Sequence, residues 1–195
     1  SNHGLDDTTV TEYVSVHRSM LRRTSCTSID AQTYVAVHRS NAQTYVAVHR
    51  STYTATLRDD LKWSDGSDLT AEDFVYSWQR IVAPATASEY AYLVSDAHVL
   101  NAEEVIAGTK SVDELGVKAD GNKLIFTLSA PSPQFMSLLS FANFMPQSKD
   151  FVEEAGDDYG TTSEKSLYSG PYTVEDWNGT NGTFTLVKNK ILLGC

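Results

Sequence analysis

Alternating apolar and polar positions predict strands in the first quarter of the chain. The phrase AQTYVAVHRS occurs twice, at 31–40 and 42–51, and in both copies the residues of TYVAVHR alternate between two faces. A period of two, with β-branched and aromatic residues dominating, favours a strand. We therefore expect the two copies to pair as a hairpin around Ser40 and Asn41.

The pattern changes from strand to helix after Tyr53. YTATLRDDLKW alternates as a strand and leads into a turn at 64–67, where Asp-Gly favours a reversal. LTAEDFVYSWQRIV then has the period of an amphipathic helix, with Thr70 as its N-cap and Asp73 three residues on. Its buried face is expected to hold Phe74, Trp78, Ile81 and Val82, and Pro84 helps to end it.

Further short elements follow in mixed order. Helices are predicted at 87–94 and 101–108, in PSPQFMSLLSF, and in SKDFVEEAG, which Ser148 caps and Gly156 ends. LGVKADGNKLIFTLSAP predicts two strands joined at Asp120-Gly121-Asn122, in which Leu124 and Phe126 face away from Ile125 and Thr127. YTVEDWNGTNGTFTLVKN predicts a hairpin around its Asn-Gly pairs. The predicted fold class is mixed α/β (α+β).

The charge and composition of the chain exclude some classes of function. The 195 residues are 41% hydrophobic, enough for a core, and the net charge is −10. Residues 1–52 hold five Arg and four acidic residues, so the acidic excess lies downstream, where it would repel phosphate backbones. We expect no nucleic-acid partner. In the sequence as given we expect no membrane span, no secretion signal and no lipid anchor, and export still applies if a leader was removed.

The candidate metal and catalytic residues do not form recognisable sites. His17, His38 and His49 share one context, but each precedes an arginine, which disfavours a bound cation. Cys26 and Cys195 give neither a disulfide framework nor metal-binding spacing. The chain has no phosphate-binding glycine loop and no nucleophile elbow, and its adjacent carboxylates do not face one another. We expect no metal site and no enzyme activity.

A family resemblance is specific from Tyr53 onward. Three consecutive runs resemble oligopeptide-binding proteins of bacterial ABC importers. They are YTATLRDDLKWSDGSDLTAEDFVYSWQRIVAPATASEYAYL, NAEEVIAGTKSVDELGVKADGNKLIFTLSAPSPQF and YGTTSEKSLYSGPYTVEDWNGTNGTFTLVKN. These proteins belong to the peptide and nickel solute-binding family, which is solute-binding protein family 5. The resemblance covers about 70% of the chain, from Tyr53 to Lys190, and favours peptides over other ligands.

The resemblance implies a fold, a ligand and site residues. The fold would be a partial lobe of the type II periplasmic-binding-protein class, a mixed sheet with short flanking helices. The ligand would be an extended peptide, without cofactor, and the partner a membrane permease outside the cytoplasm, with a lipid anchor in some full-length forms. Tyr90 would line the peptide cleft with its neighbour Tyr92, although either could instead be a core aromatic residue. Trp63 and Trp78 would be packing residues.

Departures from the family define the predicted domains. Residues 1–52 hold the repeat where family strands are expected, residues 53–190 form the partial lobe, and residues 191–195 are an atypical tail. Within the lobe, we expect Gly170, Pro171 and Tyr172 to return the chain to the next sheet. We expect the repeat to cover an open sheet edge, since unpaired edges invite aggregation. A second lobe would have to come from elsewhere. The alternative function is a truncated structural or interaction fragment that keeps the lobe fold without binding peptide.

Overall fold

The computed structural model describes residues 51–139 and 141–191. Upstream of these it describes the backbone of four strands, which are Val10–Glu12 (β1), Leu21–Cys26 (β2), Thr33–Arg39 (β3) and Ala42–Val48 (β4).

The main sheet has five antiparallel strands in the order β1-β2-β5-β7-β6, where β5 is Ser51–Leu57, β6 is Val117–Asp120 and β7 is Lys123–Leu128. β6 and β7 are joined at Gly121-Asn122, which confirms the predicted reversal. Along β7, Leu124 and Phe126 are buried while Ile125 and Thr127 are partly exposed, as the alternation predicts. The buried face of β5 and β7 forms one wall of the core.

The two repeat copies form a hairpin of their own. β3 pairs with β4 along seven residues, from Thr33 opposite Val48 to Arg39 opposite Ala42, which confirms the predicted pairing. The connecting Ser40 and Asn41 lie outside the described residues. The expectation that the repeat covers an edge of the main sheet is wrong, because β3 and β4 pair with each other and β2 takes the place beside β5. Pairing across a two-residue connection loses less chain entropy than pairing with a strand that is distant in sequence.

The strand predicted from Tyr53 to Trp63 is shorter in the structure, and it ends at Leu57. On one side β7 begins opposite Thr56, and on the other β2 begins opposite Leu57, so no neighbour remains to extend the ladder. The predicted turn at 64–67 is confirmed: the N–H of Gly66 donates to the carbonyl of Trp63, and the N–H of Trp63 donates to the carbonyl of Ser67, both at 2.9 Å.

The longest helix, α1 (Ala71–Val82), follows the sequence prediction closely. Thr70 is its N-cap, and the Thr70 N–H donates to Oδ2 of Asp73 at 2.9 Å. The helix packs on β6 and β7 and ends before Pro84, which starts a 3-10 turn. All four residues predicted for its inner face are buried: Phe74, Trp78, Ile81 and Val82.

The remaining helices are short, and two differ from prediction. The helix expected at 87–94 is α2 (Ala91–Asp96), displaced because the 3-10 turn Pro84–Thr86 and a left-handed Ala87 (φ 49°) precede it. The helix expected in PSPQFMSLLSF is only one turn, α4 (Phe135–Leu138). The other two agree with prediction: α3 (Ala102–Ile106) and α5 (Lys149–Ala155), the latter capped by Ser148.

The C-terminal hairpin has the predicted form. β8 (Tyr172–Glu175) pairs antiparallel with β9 (Thr185–Lys188), and both Asn-Gly pairs lie in the connecting loop. The buried Asn189 closes its base, where its N–H donates to the carbonyl of Pro171 at 2.8 Å and its Nδ2 donates to that of Gly170 at 3.0 Å. Gly170 and Pro171 therefore lead directly into β8, as the sequence predicts.

Trp63 and Trp78 are packing residues, as expected, since both are buried. Trp78 is fully enclosed, with its ring centroid 4.4 Å from that of Phe144 and 4.9 Å from that of Phe126. The Phe135 ring completes this aromatic cluster at 5.1 Å from Phe126. The cluster joins α1, β7 and the chain around α4 into one core.

Candidate functional site

Exposed apolar side chains mark the surfaces available for binding. Among the described residues, the exposed large hydrophobic side chains fall into two groups along the chain. One group lies on the C-terminal hairpin and just after it, and comprises Tyr172, Phe184, Leu186 and Ile191. The other comprises Tyr90 and Tyr92, the two site residues predicted from the sequence, together with Phe141.

Local structure sets the position of Tyr90. After the left-handed Ala87, the N–H of Tyr90 donates to Oγ of Ser88 at 3.2 Å, and Tyr90 becomes the N-cap of α2. The side chain is 41% exposed, so Tyr90 is not the core residue that the alternative interpretation expected. A tyrosine that is half covered presents both its ring and its hydroxyl to a ligand.

Tyr90 contacts a residue that the sequence prediction missed. The ring centroids of Tyr90 and Phe141 lie 5.9 Å apart with a tilt of 58°. Phe141 is 43% exposed and stands at the start of the 3-10 turn Ala142–Phe144. We call Tyr90 and Phe141 the aromatic pair. Fifty-one positions separate them in the chain, so no local periodicity connects them.

The aromatic pair rests on the core. The ring of Phe141 lies 6.4 Å from that of Phe144, and Phe144 in turn packs against the enclosed Trp78 at 4.4 Å. Because Phe144 and Trp78 are buried, they fix the backbone that presents Phe141. The pair is thus a preformed apolar surface on a rigid support, which reduces the entropy cost of binding.

Tyr92 is placed differently from Tyr90. It is 54% exposed, and its carbonyl accepts a hydrogen bond from Oγ of Ser95 at 2.9 Å. Residues two apart near the start of a helix do not share a face. Within 51–139 and 141–191, no aromatic ring packs against Tyr92. The structure therefore joins Tyr90 to Phe141 and leaves Tyr92 apart from them.

A second concave region lies between α1 and α5, with a volume of about 590 Å³. Neither residue of the aromatic pair lines it. Its central cation, Arg80, donates from Nη1 to Oε1 of Gln147 at 3.3 Å and lies 5.5 Å from the centre of the Tyr159 ring. Burial raises the pKa of the Tyr159 hydroxyl, and the charge of Arg80 partly opposes that rise. These side chains already satisfy one another, so they form a structural contact.

The half-buried carboxylate of Asp73 also has a structural role. Its Oδ2 accepts from Nε1 of Trp63 at 3.1 Å and from the N–H of Thr70 at 2.9 Å. Burial raises its pKa, and the two hydrogen bonds oppose that rise less strongly. A carboxylate that caps a helix and accepts a hydrogen bond from an indole contributes to folding.

The described part of the chain lacks both a metal-binding cluster and a membrane-spanning helix. It holds no group of three or more His, Cys, Asp or Glu residues that could bind a metal ion. Nor does any of its helices have the length and hydropathy that a membrane crossing requires. Of the three repeated histidines, His17 and His49 lie outside the described residues, and only the backbone of His38 is described.

Comparison with known proteins gives close matches. A family model described as "Bacterial extracellular solute-binding proteins, family 5 Middle" matches residues 42–191. The chain is 46% identical to a dipeptide-binding protein of Lactococcus lactis subsp. cremoris over 142 residues, which are 71% of this chain and 26% of that protein. It is 44% identical to the periplasmic oligopeptide-binding protein OppA of Escherichia coli over 126 residues, 64% of this chain and 23% of that one.

A solved structure agrees with these matches. Listeria monocytogenes OppA bound to peptide is similar with a TM-score of 0.69 at 38% identity, over 87% of this chain and 31% of that one. The chain therefore spans about a quarter to a third of the length of the proteins it matches. The predicted fold class, a mixed lobe of the type II periplasmic binding fold, is confirmed.

The family match begins at residue 42, in the second copy of the repeat, whereas the predicted lobe begins at 53. The division into 1–52, 53–190 and 191–195 stays a prediction. The matched region nevertheless makes up well over half of the chain. The protein belongs to the bacterial extracellular solute-binding proteins, family 5.

Proposed function

We propose that this chain is an oligopeptide-binding component, or a portion of one, of an ABC-type peptide import system. The observation that carries the proposal is its identity of 46% and 44% to proteins named for dipeptide and oligopeptide binding. Fold alone would not carry it, because one fold serves many ligands. Identity at this level over the same segment in two peptide-binding relatives supports the ligand class as well.

In this proposal the chain supplies one wall of a peptide cleft. An extended peptide is held mainly through its backbone, and its side chains enter wet, permissive pockets. Tyr90 packs its ring on the peptide while its hydroxyl meets a backbone group. Tyr92, which is more exposed, is proposed as a second contact.

The proposed activity is capture and delivery, with no chemical step. The partner would be the membrane permease of the importer, and the place of action would be outside the cytoplasm. The family description as extracellular and the periplasmic name of the Escherichia coli relative support that location. Lipid attachment of a full-length form stays a prediction.

A second candidate function is a structural or interaction fragment that keeps the lobe but binds no peptide. The observation that favours it is coverage, since the chain spans about a quarter to a third of its relatives. Ligand sites usually enclose most of the ligand surface, and a single wall encloses little. The exposed apolar residues of the C-terminal hairpin, Phe184 and Leu186 among them, also suit an interaction surface.

Calorimetric titration of the whole chain with a mixture of short peptides separates the two candidates. The peptide-binding proposal predicts a saturable heat that Tyr90→Ala abolishes. Tyr172→Ala is the matched control, since Tyr172 is a comparably exposed tyrosine on the distant hairpin, and it should leave the heat unchanged. A wild-type chain that is folded but gives no heat supports the fragment.

A further inference from the structure

The aromatic pair offers more than the single tyrosine that the proposed function uses. Both rings are more than two-fifths exposed and contact each other at 5.9 Å. Their planes are tilted by 58°, so the two rings do not cover each other face to face. Aromatic rings attract a third ring or an aliphatic group in tilted and offset arrangements.

The two residues have different chemistry. Tyr90 carries a hydroxyl that can bind any peptide backbone, whereas the Phe141 side chain has no polar atom and can contribute only apolar contact. Backbone binding is common to all peptides, so it cannot discriminate between them. Within the pair, discrimination between peptide side chains therefore falls to Phe141.

We propose that Phe141 is a specificity-determining residue, which with Tyr90 forms a subsite for an apolar side chain of the bound peptide, an aromatic one above all. This inference rests on the proposed peptide-binding function. The bound group packs against the Phe141 ring while Tyr90 holds the adjacent backbone. Phe144 and Trp78 behind the pair keep the subsite in place without ligand.

A cationic side chain is the main competitor for this subsite, because aromatic faces also attract cations. The described contacts favour the apolar ligand. Among the described contacts, the Phe141 ring touches only the rings of Tyr90 and Phe144. The exposed Glu89 next to Tyr90 is a candidate counter-charge, and no described hydrogen bond joins it to the pair. A desolvated cation without a counter-charge is costly, whereas an apolar group gains from burial.

The test is a titration of the whole chain, with its phenylalanine and tyrosine rings labelled with carbon-13 for NMR. The probes are the tripeptides Ala-Phe-Ala, Ala-Ala-Ala, Ala-Lys-Ala and Ala-Glu-Ala. We expect Ala-Phe-Ala to bind about tenfold more tightly than Ala-Ala-Ala, the scale of one aromatic contact, and to shift the Phe141 signals. Phe141→Ser should abolish that preference, so that Ala-Phe-Ala and Ala-Ala-Ala bind with equal affinity.

Two further variants make the result specific. Phe141→Leu keeps an apolar side chain without a ring and should retain part of the preference. Phe184→Ser removes a phenylalanine near the hairpin that is 59% exposed, against 43% for Phe141, and it should change nothing.

The outcomes separate this inference from the function on which it rests. Equal affinities for all four tripeptides in the wild type, a preference for Ala-Lys-Ala, or a preference that survives in Phe141→Ser would overturn the subsite alone. The absence of a shift with any tripeptide would overturn the proposed function and the subsite together.

Discussion

The indole N–H of Trp63 donates a hydrogen bond to Oδ2 of Asp73 at 3.1 Å, which joins the turn before α1 to its first residues. Burial nevertheless raises the pKa of Asp73 above its ordinary value of 3.8. The folded state therefore binds a proton at Asp73 more readily than the unfolded state does. Proton binding at Asp73 therefore makes its whole contribution to stability at pH values below the pKa of Asp73 in the unfolded chain. That contribution is lost as the pH rises through the pKa of Asp73 in the folded chain.

The first prediction follows from that linkage. Asp73→Asn removes the titrating group, so the free energy of unfolding of the wild type should fall relative to that of the variant as the pH is raised from about 3 to about 7. Urea unfolding at several pH values measures the difference. Glu154→Gln, an exposed carboxylate on α5, is the control for loss of one negative charge. A wild type that gains stability over Asp73→Asn with rising pH would refute the assignment.

The second prediction concerns Gly116, where three segments meet. A Cβ at this position would lie 2.5 Å from the carbonyl oxygen of Thr127 and 2.7 Å from Cβ of Leu100. The backbone cannot yield easily, since Gly116 N–H donates to the carbonyl of Leu100 at 2.9 Å and Thr127 N–H donates to that of Gly116 at 2.8 Å. Gly116→Ala should lower the free energy of unfolding by about 1–3 kcal/mol in urea titrations.

Gly182→Ala is the matched control for this substitution. No atom lies within 4 Å of a Cβ built there, and the backbone is not left-handed. Its stability should be unchanged or slightly higher, because alanine restricts the unfolded chain. Equal effects of the two substitutions would show that the close approach at Gly116 is not present in solution.

The third prediction tests the aromatic core. Phe126 is 1% exposed and packs against the rings of Trp78 and Phe135, at 4.9 Å and 5.1 Å. Phe126→Ala should cost about 3–5 kcal/mol through lost burial and a cavity. Phe184→Ala makes the same chemical change at an exposed position and should stay within about 0.5 kcal/mol of the wild type. Thermal unfolding of both variants measures the contrast, and similar losses would contradict the position of the core.

Elements with strong local signals could be predicted from the sequence. The helix α1 has an N-cap at Thr70, an apolar stripe ending at Val82 and a following Pro84, and the structure matches all three. The hairpin of the repeat follows from alternation and a two-residue connection, and the C-terminal hairpin follows from the Asn-Gly pairs in its loop, residues 176–184. In these segments, local propensity and tertiary packing favour the same conformation.

Elements determined by distant contacts could not be predicted. The sequence of β2, LRRTSC, has no apolar alternation, and its position comes from pairing with β5. The contact between Tyr90 and Phe141, and that between Arg80 and Tyr159, each join residues more than fifty positions apart. The resemblance to known receptors indicated Tyr90, but only the tertiary structure brings Phe141 beside it.

We propose that this segment forms a working wall of a peptide receptor, with Tyr90 on the ligand side. The most direct measurement replaces the matching segment of the Lactococcus lactis dipeptide-binding protein with that of this chain and determines dipeptide affinity by calorimetry. We expect the chimera to bind dipeptide. Within it, Tyr90→Ala should weaken dipeptide binding about tenfold, which corresponds to the loss of a contact of about 1.4 kcal/mol. A folded chimera that binds no dipeptide, or binds it equally well without the Tyr90 ring, would contradict the claim.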